Sequence, residues 1–406
     1  MGTDRLVLTE LHPELSIAFD RWAEKSGSLS AEVTVETSSS LYKPLLLAGR
    51  LNLVAIRSRA EFANRLQALC PEWEWNTIIE NACQKAIRHY RQGESPIILS
   101  KDIPADPITW DAYPLLFTGH PTVLFGAPGL GKSKFCLYLA MLIETGYSQH
   151  GFQVEKGRVL YLDWEASKNV LHAAAHQIWT AHPEVADALP VYRRMLSRLA
   201  DSVEELKAII AEHAITTIIV DSIGMACQGD LIDPMTAIKY NTALRTLGCT
   251  SLSIGHTPRP MPGQEEHLYG GIYYETICRS LWHLRSTQEF DDTTRRVGLF
   301  HRKCNLSKLL RPIGLTMTIT PDETACIFSR HDLVEDPAFA SSMPAKIRIQ
   351  RLLVYGLKTP KEIAEGLGID LQYVRNILSS GKGRWCVMLE TGMWGPLERQ
   401  HSEPCS

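Results

Sequence analysis

The stretch that most constrains this chain is residues 125–133, which read Phe-Gly-Ala-Pro-Gly-Leu-Gly-Lys-Ser. They match the phosphate-loop pattern Gly-x-x-x-x-Gly-Lys-Ser/Thr without a gap. An apolar run, 122–125, precedes the motif, and residues 134–145 have the apolar spacing of a helix. The motif therefore lies between a predicted buried strand and a predicted helix. In that context, backbone N–H groups and a helix start together hold an anion.

Each residue type in this loop has a chemical reason to be there. Glycines let the backbone curl so that its N–H groups point inward. We expect Lys132 to reach the β- and γ-phosphates of ATP and the Ser133 hydroxyl to bind Mg²⁺. The residues predicted to contact the nucleotide are Gly126, Ala127, Pro128, Gly129, Leu130, Gly131, Lys132, Ser133 and Lys134. The alternative is a glycine turn that binds nothing, but the pattern and its context both favour binding.

The composition is that of a globular chain with two or three domains. Apolar residues make up 45% of the 406 residues and charged residues 21%, which is ordinary for such a chain. Because the net charge is −3, any surface for nucleic acid must be local. The ten cysteines are scattered singles, which favours reduced thiols over a zinc site or a disulfide framework. We predict a cytoplasmic protein with neither a signal peptide nor a membrane partner.

Residues 1–113 predict a mainly helical region and a linker. Amphipathic patterns over 58–69 and 76–91 indicate two helices, and the proline-rich stretch 102–113 indicates the linker. This region is locally basic, with Arg50, Arg57, Arg59, Arg65, Lys85, Arg88 and Arg91. These cations either cover solvated helix faces or contact nucleic acid or a neighbouring subunit.

From residue 114 to 333, apolar strands alternate with helical stretches, which predicts an α/β core with a mostly parallel sheet. Three of these strands end in functional side chains, namely Glu165, Asp221 and His256. Because the carboxyl ends of parallel strands share one edge of a sheet, these residues are expected to lie together where ligands bind. Asp221 would hold Mg²⁺ beside Ser133. His256 is either an ordinary surface or core residue or a sensor of the γ-phosphate. Antiparallel strands are expected to close the sheet.

Together these motifs resemble the RecA-like ATPases, and most of all the RepA-type and DnaB-type hexameric helicases and the KaiC- and RadA-like proteins. The resemblance is carried by the phosphate loop and by residues 160–165, 218–222, 253–257, 270–280 and 302–305. It implies a ring, a hexamer in the helicases, that binds ATP between subunits and acts on DNA. It also implies that Glu165 polarises the attacking water. Ser222 occupies the position at which a glutamate base directly after Asp221 would otherwise stand.

The same resemblance implies that a basic residue from the neighbouring subunit completes each ATP site. Lys303 fits the family position best, with Arg302 and Arg279 as alternates, and Asn305 stands where the DnaB-type pattern has an arginine. A structural role, as strand residues paired with surface carboxylates, is the alternative for these cations. Loops 224–233 and 258–269 correspond to the loops that touch DNA in this family. The second loop contains Arg259 but also Glu265 and Glu266, which weakens its case as a DNA contact.

Residues 344–395 resemble a winged helix-turn-helix. Thr359, Pro360 and Glu362 form a capping box before a short helix, and a turn leads to a second helix over 371–379. Residues 381–389 would be the wing. Residues 344–389 hold eight Lys and Arg against three acids, a net +5. The predicted DNA contacts are Gln372, Tyr373, Arg375, Asn376, Lys382 and Arg384. A module that contacts protein instead of DNA is the alternative.

The sequence therefore predicts an ATP-hydrolysing, DNA-associated oligomeric motor, that is, a helicase, a translocase or a replication or recombination ATPase. The second hypothesis is a regulatory ATPase whose nucleotide state controls assembly and a DNA- or partner-binding winged helix, without translocation. A small-molecule kinase is disfavoured because the chain has no recognisable acceptor lid.

Overall fold

A computed structural model of the chain divides it into two units, residues 1–106 and 107–406. The structure describes residues 5–9, 11–12, 14–25, 27–92, 107–258, 266–270, 272–287, 293–333, 336, 339 and 343–397. Among these, no helix has both the length and the apolar character needed to cross a bilayer. The three predicted domains, residues 1–113, 114–333 and 344–395, remain predictions.

The first unit is an antiparallel sheet followed by two helices. Its four strands lie in chain order and are β1 Leu6–Leu8, β2 Leu15–Lys25, β3 Ser28–Thr37 and β4 Leu45–Asn52. The two predicted helices are confirmed as α1 Ile56–Leu69 and α2 Trp75–Gln92. The prediction of a mainly helical region is wrong for residues before 53. In β3 every second residue is buried, and the residues between them are Ser, Thr and Glu. A strand that is covered on only one face therefore has the sequence of a polar stretch.

The second unit is built on the predicted α/β sheet. Its strands are β5 Trp110–Tyr113, β6 Leu116–Phe117, β7 Pro121–Gly126, β8 Gln153–Val154, β9 Val159–Asp163, β10 Val191–Arg194, β11 Thr217–Asp221, β12 Thr250–His256, β13 Ser280–Thr287, β14 Thr294–Cys304, β15 Ile313–Ile319 and β16 Cys326–His331. The main sheet has nine strands in the order β10-β9-β11-β12-β7-β13-β14-β15-β16, and β5, β6 and β8 form a separate small sheet. The mostly parallel sheet is confirmed. The prediction that antiparallel strands close the sheet is wrong for one pairing of β13, which runs parallel to β7 and antiparallel to β14.

Helices flank this sheet, as predicted. They are α3 Lys132–Thr145, α4 Lys168–Ala181, α5 Val203–His213, α6 Ile223–Cys227, α7 Pro234–Leu247 and α8 Ile272–Ile277. Successive residues of the central strands belong to two different buried clusters, with Leu124 and Ile219 in one and Val123 and Val220 in the other. This alternation is that of a sheet covered on both faces. The carboxyl ends of β7, β9, β11 and β12 consequently meet at one edge.

Three helices and a hairpin form the C-terminal module. They are α9 Ala345–Val354, α10 Pro360–Leu367, α11 Leu371–Gly381, β17 Cys386–Met388 and β18 Trp394–Pro396. The capping box of Thr359 and Glu362 is confirmed. The predicted wing at 381–389 is misplaced, because residues 382–385 turn tightly from α11 into β17 and the hairpin turn is 389–393. Both segments contain glycine turn signals, and strand pairing decides which one becomes the hairpin turn.

Buried His301 should make this fold sensitive to acid. Its Nδ1 accepts the backbone N–H of Leu310 at 3.1 Å, which requires a neutral ring, and burial lowers its pKa to about 4. The folded-state pKa lies below the ordinary 6.5, so the stabilisation is complete above pH 6.5 and is lost as the pH falls toward 4. Between pH 7 and pH 5 the loss is about 2 kcal/mol. The free energy of unfolding can be measured with urea at both pH values. Between them His301→Gln should lose less of this free energy than wild type, by the same amount, whereas exposed His213→Gln should match wild type.

Candidate functional site

The phosphate loop joins β7 to α3 at the carboxyl edge of the sheet. Gly129 and Gly131 adopt φ values of +75° and +85°, in the left-handed region that favours glycine. At Gly131 a Cβ atom would also lie 2.4 Å from the Met317 methyl group. Helix α3 begins at Lys132, immediately after this glycine. The loop thus ends at a helix N-terminus, which is the arrangement that binds phosphate.

Lys132 supplies the positive charge of this loop. Its Nζ donates to the carbonyl oxygens of Gly126 at 2.9 Å and Ala127 at 2.7 Å, and only 4% of the residue is exposed. Burial lowers the pKa of Lys132 to about 8, against the opposing effect of nearby carboxylates such as Asp221 and Glu165. The ammonium group therefore lies within the electrostatic reach of both acids predicted for the site.

Asp221 and Ser133 lie together, as predicted. The Ser133 hydroxyl lies beside the Asp221 carboxylate, and the Tyr161 phenol donates to that carboxylate at 2.7 Å. Burial raises the pKa of Asp221. A carboxylate beside a hydroxyl oxygen is a donor set that suits Mg²⁺, which prefers oxygen ligands. The residues present therefore fit this ion.

Glu165 is brought to the same edge by the end of β9. Its backbone N–H donates to Asp163 Oδ1 at 2.9 Å, as does that of Ala166, so Asp163 shapes the turn that presents it. Glu165 Oε1 accepts a hydrogen bond from the Ser222 hydroxyl and lies 3.4 Å from His256 Nε2. The hydrogen bond from His256 is the main cause of the lowered pKa of Glu165. The acid is therefore an ionised carboxylate at neutral pH.

Ser222 and Arg295 are contacts that the sequence reasoning did not predict. In the sequence, Ser222 is notable only because it stands where a glutamate base would otherwise be. In the structure its hydroxyl donates a hydrogen bond to Glu165. Arg295, on β14, donates to the carbonyl oxygen of Gly129 at 2.6 Å. Arg295 and Gly129 are 166 positions apart, and no local pattern marks Arg295, so only the folded sheet reveals this contact.

The candidate trans-acting cations lie away from this edge. Lys303 pairs with Leu281, which lies opposite Val123, so it is level with the first half of β7. Its Nζ donates to the carbonyl oxygens of Glu275, Thr276 and Cys278, at 2.6, 2.7 and 2.9 Å, around the end of α8. Arg302 is exposed and lines a separate cavity. The third candidate, Arg279, directly precedes β13.

The predicted nucleic-acid contacts of the C-terminal module are all exposed, and they are Gln372, Tyr373, Arg375, Asn376, Lys382 and Arg384. The Gln372 amide donates to Asn376 Oδ1 at 3.1 Å along one face of α11. In the core, Glu266 Oε2 lies 3.2 Å from His283 Nε2, whereas Arg259 and Glu265 lie outside the described residues. Loop 224–233 includes most of α6.

Comparisons with known proteins give one family match and two similar proteins. Residues 95–260 match the AAA domain family. The DNA repair protein RAD51 homolog 2 of Arabidopsis thaliana is 28% identical over 126 residues, which span 28% of this chain and only 32% of that protein. The solved structure of a KaiC-like protein from the archaeon Pyrococcus horikoshii OT3 is 15% identical, with a TM-score of 0.37, over 52% of this chain and 93% of that one. The family match and the Arabidopsis relative support a RecA-like P-loop ATPase domain.

Proposed function

We propose that this chain, with a RecA-like P-loop ATPase domain in its second unit, is an ATP-hydrolysing, DNA-associated oligomeric motor. The observation that carries the proposal is the place of Glu165. An ionised carboxylate lies at the edge that holds the phosphate loop, where Ser222 and His256 orient it. A carboxylate so placed can orient and partly deprotonate a water for in-line attack on a γ-phosphate.

Other residues of this chain have separate roles in the proposed reaction. Lys132 binds the β- and γ-phosphates and stabilises the charge that develops during transfer. His256 Nδ1 is buried and has no hydrogen-bond partner among the described residues, which suits a group that senses the γ-phosphate. Asp221 and Ser133 would hold Mg²⁺. When bound, this ion supplies positive charge that neutralises the phosphate oxygens.

In the proposed assembly a cation from the neighbouring subunit completes the site, and the ring is a hexamer. The structure favours Arg302 over Lys303 for this role. All three hydrogens of the Lys303 ammonium have backbone acceptors near α8 in its own chain. Arg302 is exposed, and the antiparallel register of β14 holds it away from its own phosphate loop. We therefore propose that Arg302 acts on the nucleotide of another subunit.

The alternative is a regulatory ATPase without translocation, in which the C-terminal module binds DNA or a partner. The module's own buried cluster, which includes Ile349, Ile363, Val374 and Leu378, favours a unit that binds by itself. A motor turns over ATP faster with DNA and displaces a strand. In the regulator, turnover is indifferent to DNA although the module binds it.

Arg375→Ala combined with Lys382→Ala tests the proposed winged helix as a reader of duplex DNA. Both side chains are exposed, so the fold should persist while two phosphate contacts are lost. The slope of log K against log salt should fall by about 1.8, and DNA-stimulated turnover should need correspondingly more DNA. Binding is measured by fluorescence anisotropy across a salt series, with Lys207→Ala plus Lys239→Ala as the charge-matched control. A slope equal to that of the control excludes the module as a DNA contact.

A further inference from the structure

The cavity that Arg302 lines lies within residues 107–406, away from the phosphate loop. Its volume is about 700 Å³, within the range of ligand-binding pockets. Strand β14, the loop between β14 and β15, strand β16 and helix α9 all line it. The hydrogen bond from the Leu310 N–H to buried His301 anchors the loop that forms one wall. The core and the C-terminal module therefore share this cavity.

The charged residues that the structure describes in the lining are of one sign. Among the described residues, five cations line the cavity and no carboxylate does; the cations are Arg302, Lys308, Arg311, Arg330 and Lys346. All five are exposed. Within the described part of the chain, Lys308, Arg311, Arg330 and Lys346 form no ion pair with a carboxylate. Two of them are held by other contacts: Arg330 donates to the His150 carbonyl at 2.8 Å, and the Lys346 ammonium lies 5.6 Å from the centre of the Trp385 ring.

Like charges repel one another, and these four cations have no carboxylate partner among the described residues, so the arrangement favours a bound anion. Arginine forks and lysine ammonium groups suit phosphate oxygens. A single phosphate would fill only a small part of about 700 Å³, so the ligand presents several phosphates. Apolar and aromatic groups, Tyr113, Leu309 and Pro312, lie beside the cations, and 39% of Tyr113 is exposed. Proteins that bind single strands combine cations along the phosphate backbone with aromatic or apolar groups that contact the bases.

We propose that this cavity binds the phosphodiester backbone of single-stranded nucleic acid at the junction of the core and the C-terminal module. The inference deepens the proposed function and rests on its DNA association. It adds a contact that is separate from α11 and from the loops that follow Asp221 and His256. A strand held here touches both the ATPase core and α9, so its occupancy is physically connected to both.

The test is Lys308→Ala combined with Arg311→Ala in the full chain. Binding of a labelled oligothymidylate of about 20 nucleotides is followed by fluorescence anisotropy across a salt series. We expect affinity at about 0.1 M salt to fall roughly 10–30-fold and the salt slope to fall by about 1.4, because two phosphate contacts are lost. Lys346→Ala, on a different wall, should give about half of that change in slope.

Lys239→Ala combined with Arg245→Ala is the matched control, since it removes two exposed cations from α7 outside the cavity. ATP turnover without nucleic acid should be unchanged in the Lys308/Arg311 variant, which shows that it folds. Strand affinity equal to that of the control overturns the inference while leaving the proposed function intact. A variant that loses only the binding of thymidine monophosphate, with strand binding unaltered, also overturns it and assigns the cavity to free nucleotides. Failure of the wild-type chain to bind any nucleic acid contradicts both proposals.

Discussion

Glu165→Gln is expected to lower ATP turnover about 10²–10⁴-fold with little change in ATP affinity. Glutamine keeps the size of the side chain and can still accept the hydrogen bond from Ser222. It cannot take a proton from water, so the attacking group is no longer activated. Binding persists because the phosphates are held by the loop and Lys132, which the substitution leaves in place. Steady-state turnover and equilibrium binding of ATP, measured on the same preparation, separate the two effects.

Glu204→Gln is a suitable control for this experiment, because it changes an exposed acid on α5 that pairs with Lys207 on the same helix. It should leave turnover at the wild-type level. If Glu165→Gln also keeps wild-type turnover, Glu165 is not the base. The proposed mechanism then fails even if the phosphate loop binds ATP.

Arg302→Ala is expected to lower turnover about 10³–10⁵-fold, which is the range for loss of a trans-acting arginine. The reason is geometric: β14 places Arg302 level with the middle of β7 rather than at the edge that holds Glu165. This position is the reason that Arg302 is proposed to serve a site on another subunit. Arg302→Lys keeps the charge but loses the planar fork, and should recover a small part of the rate.

Mixing two inactive variants gives a direct readout of this arrangement. Arg302→Ala subunits keep Glu165, and Glu165→Gln subunits keep Arg302. In a mixed ring, some interfaces combine an intact Glu165 with an intact Arg302, so part of the turnover should return. Sedimentation shows whether the mixed subunits form an assembly of wild-type size. If they do and no ATP turnover returns, action of Arg302 in trans is contradicted. Lys303→Ala is the companion variant, and we expect it to loosen the end of α8 through loss of three backbone contacts.

Much of the α/β core could be read from the sequence because its signals are local. The strand 217–221 is a run of β-branched residues that ends in an acid, and the structure has Thr217–Asp221. Helix α3 occupies Lys132–Thr145, where the apolar spacing of residues 134–145 predicted a helix. The antiparallel sheet of the first unit was missed, and β3 shows one reason, because it alternates buried residues with Ser, Thr and Glu. A period of two is a weak signal when the exposed face carries small polar residues.

The sequence by itself determined the phosphate loop and the acids that end β9 and β11, because a glycine pattern and a strand that closes on a carboxylate are features of consecutive residues. Only the tertiary structure decided the contacts between residues far apart in the chain. The sheet brought Arg295 to Gly129, turned the Lys303 ammonium toward α8, and gathered five cations from separate elements around one cavity. Such contacts depend on strand order and register, which side chains distant in sequence establish together.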